Sequence, residues 1–128
     1  LVFANTNELK EARVAFLDHS NDPQTLAIQK KILASPYFSL SGQISSPTGI
    51  EDIFRDGQTK LVMVFESDFG QRLEKDGQAN IQLIADATDP NTASTVVNYA
   101  QAIILDYTRN IIPQQSTPLI NVQSQMRY

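Results

Sequence analysis

The sequence has no cysteine, which removes a disulfide scaffold, a thiol nucleophile and any thiolate-held zinc or iron–sulfur centre. Histidine occurs once, as His19, and glycine and proline number only 5 and 6 among 128 residues. Neither a fibrous repeat nor a disordered low-complexity chain fits that usage. Basic residues are outnumbered 10 to 14 by acidic ones, for a net charge of -4. The Lys and Arg are scattered, with Lys30-Lys31 the only adjacent pair. A protein that neutralises a nucleic-acid backbone needs a basic face, so nucleic acid is not an expected partner. No apolar run approaches the roughly 18 residues of a membrane-spanning helix. Nucleophile elbows, phosphate-binding loops and dinucleotide glycine loops are also missing, as is any repeat of about 20 to 50 residues.

What remains is a chain of one-domain length, 41% hydrophobic, long enough to bury a core without staples. Strand and helix patterns alternate along it. Arg13 to Asp18 is a short apolar run suited to a strand buried on both faces. Asp22-Pro23 is a helix start, because Asp accepts bonds from free N–H groups and Pro costs nothing at the first helical position. Thr25, Ile28, Ile32 and Leu33 form its stripe, and Ser35-Pro36 ends it. Phe38 to Ser45 alternates as a half-exposed strand. Thr48 to Glu51 has capping-box spacing and opens a second helix, closed by Gly57.

Lys60 to Phe65 reads as the central strand. Phe69 and Leu73 mark a brief helix ending at Gly77, and Asn80 to Ala85 follows as a strand. Asp89-Pro90 repeats the helix start, and Ala93, Val96, Val97, Ala100, Ile103, Ile104, Tyr107 and Ile111 recur every three or four residues. Pro113 to Pro118 reads as a loop and Leu119 to Tyr128 as a last strand. The order predicts an α/β fold, a βαβαβαβαβ sandwich with a mixed, mostly parallel sheet. The expected division is a lead-in over 1–10, a core over 11–112, and a loop and closing strand over 113–128.

Candidates for chemistry are few. Asp18, His19, Asp86 and Asn91 follow strands and could share a strand-end rim, where α/β folds hold ligands. A free-standing solute-binding or sensor module would use that rim as its pocket. His19 could act as a general base or metal ligand beside Asp18 and Asp22, and Asp86 and Asp89 could join Asp18 in a carboxylate cluster for Mg²⁺ or Ca²⁺, although helix capping alone accounts for Asp22 and Asp89. A phosphoacceptor domain has similar length and alternation. It would want an Asp directly after the third strand, where Glu66-Ser67-Asp68 stands instead. No catalytic set assembles, and the expectation is no enzyme, no cofactor and no resident metal.

Several segments carry a resemblance. They are Asn7-Glu8-Leu9-Lys10, Val14 to Asp18, Ser35-Pro36-Tyr37-Phe38, Asp56-Gly57, Leu61 to Phe65 with Asp68-Phe69, Asp86 to Ala93, Tyr99 to Ile104, and Ile120-Asn121-Val122. In this order and spacing the chain resembles the large extracytoplasmic domain of type 2 ABC exporter permeases of the multidrug-export-like group. The likeness covers nearly the whole chain and departs from it at Glu66-Ser67, where many members carry Ile-Pro. The resemblance implies a domain between the first and second membrane helices, with Leu1-Val2-Phe3-Ala4 the tail of the first. It implies a bacterial protein on the extracytoplasmic (periplasmic) face of the cytoplasmic membrane. Its implied partners are a second permease subunit, a cytoplasmic ATPase chain that hydrolyses ATP, and a periplasmic adaptor. Both ends returning to one membrane face further predicts a final strand antiparallel to the first.

Overall fold

Both Asp-Pro pairs open helices as expected. In the computed structural model, which describes residues 12–55, 57–111 and 119–127, strands and helices alternate along the chain. They are β1 (Ala12–Asp18), α1 (Pro23–Ala34), β2 (Phe38–Ile44), α2 (Thr48–Arg55), β3 (Thr59–Phe65), α3 (Phe69–Asp76), β4 (Gln78–Asp86), α4 (Pro90–Ile111) and β5 (Leu119–Arg127). The lead-in expected over 1–10 and the loop expected over 113–118 lie outside the described residues.

The five strands form one sheet in the order β2-β1-β3-β4-β5. β1 runs parallel to β2 and β3, β4 runs antiparallel to β3, and β5 runs parallel to β4. The sheet is therefore mixed and mostly parallel, and β5 runs against β1, as the resemblance implies. Register fixes the ends: Arg13 lies beside Thr59, Leu61 beside Ala85, and Asp86 beside Arg127. The first and last described residues, Ala12 and Arg127, thus leave from the same end of the sheet.

Alternation along each strand sorts side chains between two unequal faces. Val14, Phe16, Phe38, Leu61, Met63, Phe65, Ile81 and Leu83 point to the face covered by α1, α3 and α4, where Ile28, Ile32, Phe69, Val96, Ala100 and Ile104 complete the larger core. Ala15, Leu17, Val62 and Ile84 point the other way and meet Ile50, Ile53 and Phe54 of α2, with Ile44 and Val64 packed alongside. Along the long stripe of α4, Ala93, Val96, Val97, Ala100 and Ile104 are buried and Ile103 and Tyr107 pack half-buried against them, while the Ile111 side chain lies outside what the structure describes. At 22 residues α4 runs roughly 33 Å across the sheet. It packs beside α1, where the Tyr107 hydroxyl donates to Gln24 Oε1 and Lys31 pairs with Asp106 at 2.8 Å.

Two readings shift. Thr48 is the first helical residue of α2 and not its cap; its Oγ1 lies 2.9 Å from Ser46 Oγ, and Glu51 pairs with Arg127 at 2.9 Å. The strand expected from Asn80 begins two residues earlier, because Gly77, in the left-handed conformation at φ 75°, turns α3 straight into β4.

The start of α1 is built around Asp22. Its Oδ1 accepts the Thr25 N–H at 2.9 Å, while Thr25 Oγ1 accepts the Asp22 N–H at 3.1 Å, forming a reciprocal capping box. The same carboxylate reaches a second helix. Its Oδ2 accepts the Gly70 N–H of α3 at 2.7 Å and a bond from the Ser20 hydroxyl. Ser20 Oγ in turn accepts the Phe69 N–H at 3.0 Å. Asp68, the residue before α3, sits at φ 59° and makes no side-chain cap of its own, so α3 takes its cap from the β1–α1 loop. A Cβ on Gly70 would lie 2.8 Å from the Asp22 carboxyl carbon.

Burial pushes the Asp22 carboxyl up, but hydrogen bonds from Ser20 and from the backbone of Thr25, Gly70 and Gln24 outweigh it and hold it below the ordinary 3.8. A depressed folded-state value means the ionised carboxylate stabilises the fold above the unfolded value. That stabilisation is lost as pH falls through the folded one. We therefore expect Asp22→Asn to be less stable than the parent at neutral pH and to lose less stability below about pH 4, read from urea midpoints. Gly70→Ala, which forces the carboxylate away, should cost about 2 kcal/mol in the same assay. An unchanged midpoint would show that α3 does not depend on this contact.

Candidate functional site

The four rim residues do not form one site. Because β4 runs against β3, its carboxyl end lies at the opposite end of the sheet from that of β1. Asp18 pairs in register with Phe65, whereas Asp86 lies one position beyond the Leu61–Ala85 pair. The two carboxylates are separated by roughly 17 Å along the strands. The expectation of a shared rim fails on that single strand reversal.

At one end, Asp18 is occupied by the turn that follows it. Its Oδ1 accepts the N–H groups of Ser20 and Asn21 at 2.9 and 2.8 Å, and its Oδ2 accepts from Gln29 Nε2 at 2.9 Å. Gln29 is buried, and its Oε1 accepts from Gln43 Nε2 at 3.0 Å. Asp18 therefore anchors a polar chain that ties β1, α1 and β2 together. His19 is exposed, and its backbone N–H extends the β1–β3 pairing to the Phe65 carbonyl at 3.1 Å.

The His19 side chain borders a hollow of about 460 Å³ lined by Val64, Glu66, Asn80, Gln82 and Gln123. Glu66 accepts the Asn80 N–H at 2.7 Å and lies 3.4 Å from Arg72. Three of the seven residues around this hollow, Asn80, Gln82 and Gln123, are amides.

At the other end, Asp86 is buried and its Oδ1 accepts the N–H and hydroxyl of Thr88 at 3.0 and 2.8 Å. Asp89 accepts the N–H and hydroxyl of Thr92 at 3.3 and 2.6 Å, which is the capping role. These same bonds, with the charge of Lys60, hold its carboxyl below the ordinary range.

Asn91 borders an open groove of about 740 Å³ with Pro36, Tyr37, Thr95 and Tyr99. There the Tyr37 and Tyr99 rings stack at 4.1 Å. Tyr99 departs from the main helical stripe in sequence, and its stacking on Tyr37, a residue 62 positions away, has no local signal. Among the described residues, no three acidic or histidine side chains converge on a metal position.

The profile of the ABC-2 family of transporter proteins matches residues 1–128. The chain belongs to that family. The "Probable multidrug ABC transporter permease YbhR" of Escherichia coli K12 and that of Escherichia coli O157:H7 are each 26% identical to it over 116 residues. The match covers 91% of this chain and 32% of each relative, so the chain spans about a third of the length of these relatives. The crystal structure of a domain assigned to an ABC type-2 transporter of Thermotoga maritima MSB8 superposes with a TM-score of 0.69 at 12% identity. It covers 90% of this chain and 86% of that one, and establishes the likeness of fold. Among the described residues no helix is long and apolar enough to cross a membrane.

The separation of the two rims is open to a thermodynamic test. Asp18→Asn and Asp86→Asn should each destabilise the fold, and the double variant should match the sum of the two losses to within about 0.5 kcal/mol. A coupling well above 1 kcal/mol, read from urea denaturation of all four proteins, would mean that the two carboxylates share a network.

Proposed function

We propose that the chain is an extracytoplasmic domain of an ABC exporter permease subunit and contributes to permease dimerisation, outer gating or partner docking. The observation that carries this reading is the exit of the first and last described residues at one end of the sheet. Ala12 and Arg127 belong to strands three places apart, roughly 14 Å across the sheet. That is the arrangement needed by a module inserted between two consecutive membrane helices. Membership of a transporter family supports it, as does a stable fold in which the candidate carboxylates are already engaged in capping and turn contacts.

On this reading the work of transport is divided. ATP is bound and hydrolysed on a separate cytoplasmic chain, two permease subunits form the path, and this domain stands over its outer mouth. The description of the YbhR relatives as multidrug transporter permeases favours a small molecule as cargo. A periplasmic adaptor is a further partner on this reading.

The chain has no cysteine of its own, which makes sidedness simple to read. Gln71→Cys, on the exposed surface of α3, in a permease otherwise free of cysteine should react with a membrane-impermeant maleimide in intact cells. Protection until the cells are opened would place the domain on the ATPase side and overturn the proposal.

A further inference from the structure

The two edges of the sheet are not alike. β2 carries an extra residue, Ser41, where the register shifts between Val14 and Ala15. It also contains Gly42 and is flanked by Pro36 and Pro47. Bulges, glycines and nearby prolines are what keep an edge from pairing with another strand. β5 contains no bulge, no glycine and no proline, although Pro118 directly precedes it in sequence. It is nine residues long, Leu-Ile-Asn-Val-Gln-Ser-Gln-Met-Arg, registers with β4 without a shift, and carries no charge before Arg127.

Two backbone hydrogen bonds fix which groups face outward. The Leu119 N–H donates to Gly77 O at 2.8 Å, and Arg127 O accepts from the Ala87 N–H at 2.6 Å. Residues 119 and 127, and by alternation the odd-numbered residues between them, therefore bond toward β4. Ile120, Val122, Ser124 and Met126 direct their N–H and C=O groups to the open side, where no strand lies among the described residues. Apolar surface accompanies this edge: Leu119 is 55% exposed, Met126 48%, and Leu105 of the adjoining α4 51%. Leu105, Ile104, Leu119, Ile120 and Val122 border a crevice of about 260 Å³ between α4 and β5.

We infer that the outer edge of β5 pairs antiparallel with β5 of a second copy of this chain, centred on Gln123, to form one continuous sheet across a two-fold axis. This rests on the reading of the domain as one half of a permease pair, and names the surface through which the halves meet. The register is self-complementary, as a two-fold interface requires. Ile120 faces Met126 of the second copy and Val122 faces Ser124, so all four outward residues exchange hydrogen bonds in pairs.

On the helical face, the exposed Met126 is delivered to the partner's Ile120 and the crevice beside it, an opening that an unbranched thioether side chain suits. On the other face, Asn121 meets Gln125, and Gln123 meets its own counterpart. This continues the amide row already made by the Gln82–Gln125 bond at 2.7 Å and the Asn121–Gln78 bond at 3.3 Å. No like charges are brought together, since Arg127 faces Leu119. The axis stands normal to the sheet. Two copies rooted in one membrane would therefore lie with their sheets parallel to it.

The register gives a direct test, because residue 123 meets itself in a non-hydrogen-bonded pair with Cα atoms about 4.5 Å apart, within disulfide reach. In the 128-residue chain, Gln123→Cys should oxidise to a covalent dimer, while Gln82→Cys, exposed on the same face one strand in, should not. Gln123→Lys sets like charges against each other on a residue that is exposed in the single copy. It should weaken the dimer about tenfold by sedimentation velocity without moving the thermal midpoint, and an equimolar mixture with Gln123→Glu should restore association. A dimer that survives Gln123→Lys and never cross-links at 123 would overturn the β5 edge and leave pairing through another surface standing. A chain that stays monomeric at about 1 mM, well above an ordinary dimer Kd, would overturn edge pairing outright. The sidedness of the domain is read separately by the maleimide experiment above.

Discussion

One carboxylate organises this fold. Asp22 accepts N–H groups from the first turns of both α1 and α3, and Ser20 adds a third bond to the same corner. Helix starts leave unpaired donors that attract negative charge, so a single ionised side chain between two of them ties together elements 48 residues apart. The consequence is topological. α3 is pinned at the carboxyl end of β1 and spans only about 12 Å. Gly77 alone separates α3 from β4, so no chain is left to travel back and begin a parallel strand. α2 is no longer, but it has three residues on either side, and β3 follows it in parallel.

From the reversal of β4 the remaining features follow. It carries α4 and β5 back so that Ala12 and Arg127 leave at one end, which a module inserted into a membrane protein needs. It divides the acidic strand ends into two unconnected groups, each consumed by local turns and caps. It also makes β5 a regular outer strand without a bulge or glycine. The imbalance between faces has the same origin. Three helices converge on one side around Phe16, Phe38, Phe65 and Phe69, while α2 covers only part of the other. The area beyond α2 is finished in Asn and Gln side chains, which tolerate water and pair with one another.

Much of the fold was legible because its signals are local. Asp-Pro starts, the three-and-four spacing of α4, and the apolar run of β3 each report a short-range preference that tertiary packing reinforces, and these elements stand where expected. Direction of strands was less accessible. Periodicity is the same for a strand running either way, so the reversal of β4 had to come from the brevity of α3 and the single Gly77 after it. The shared rim of Asp18, His19, Asp86 and Asn91 needs the fourth strand to run parallel to the first, and it fails because the reversal in this mixed sheet falls already at β4. The second role of Asp22 was invisible for a related reason: the sequence marks it as a cap for α1, and nothing near Gly70 announces a borrowed carboxylate. Thr48 shows the limit of motif spacing, since Ser-rich sequence just before it lets the helix begin a residue early and frees Glu51 for Arg127.

Asp18, Asp22, Asp86 and Asp89 all serve turns and helix starts, and the role proposed for this module depends on where it is attached. The most direct measurement is a cryo-electron microscopy structure of the complete transporter with its ATPase bound. The account predicts this domain on the side of the bilayer away from the ATPase, with Ala12 and Arg127 at its membrane-rooted end. A map showing the domain beside the ATPase, or with that end joined to no membrane helix, would contradict it.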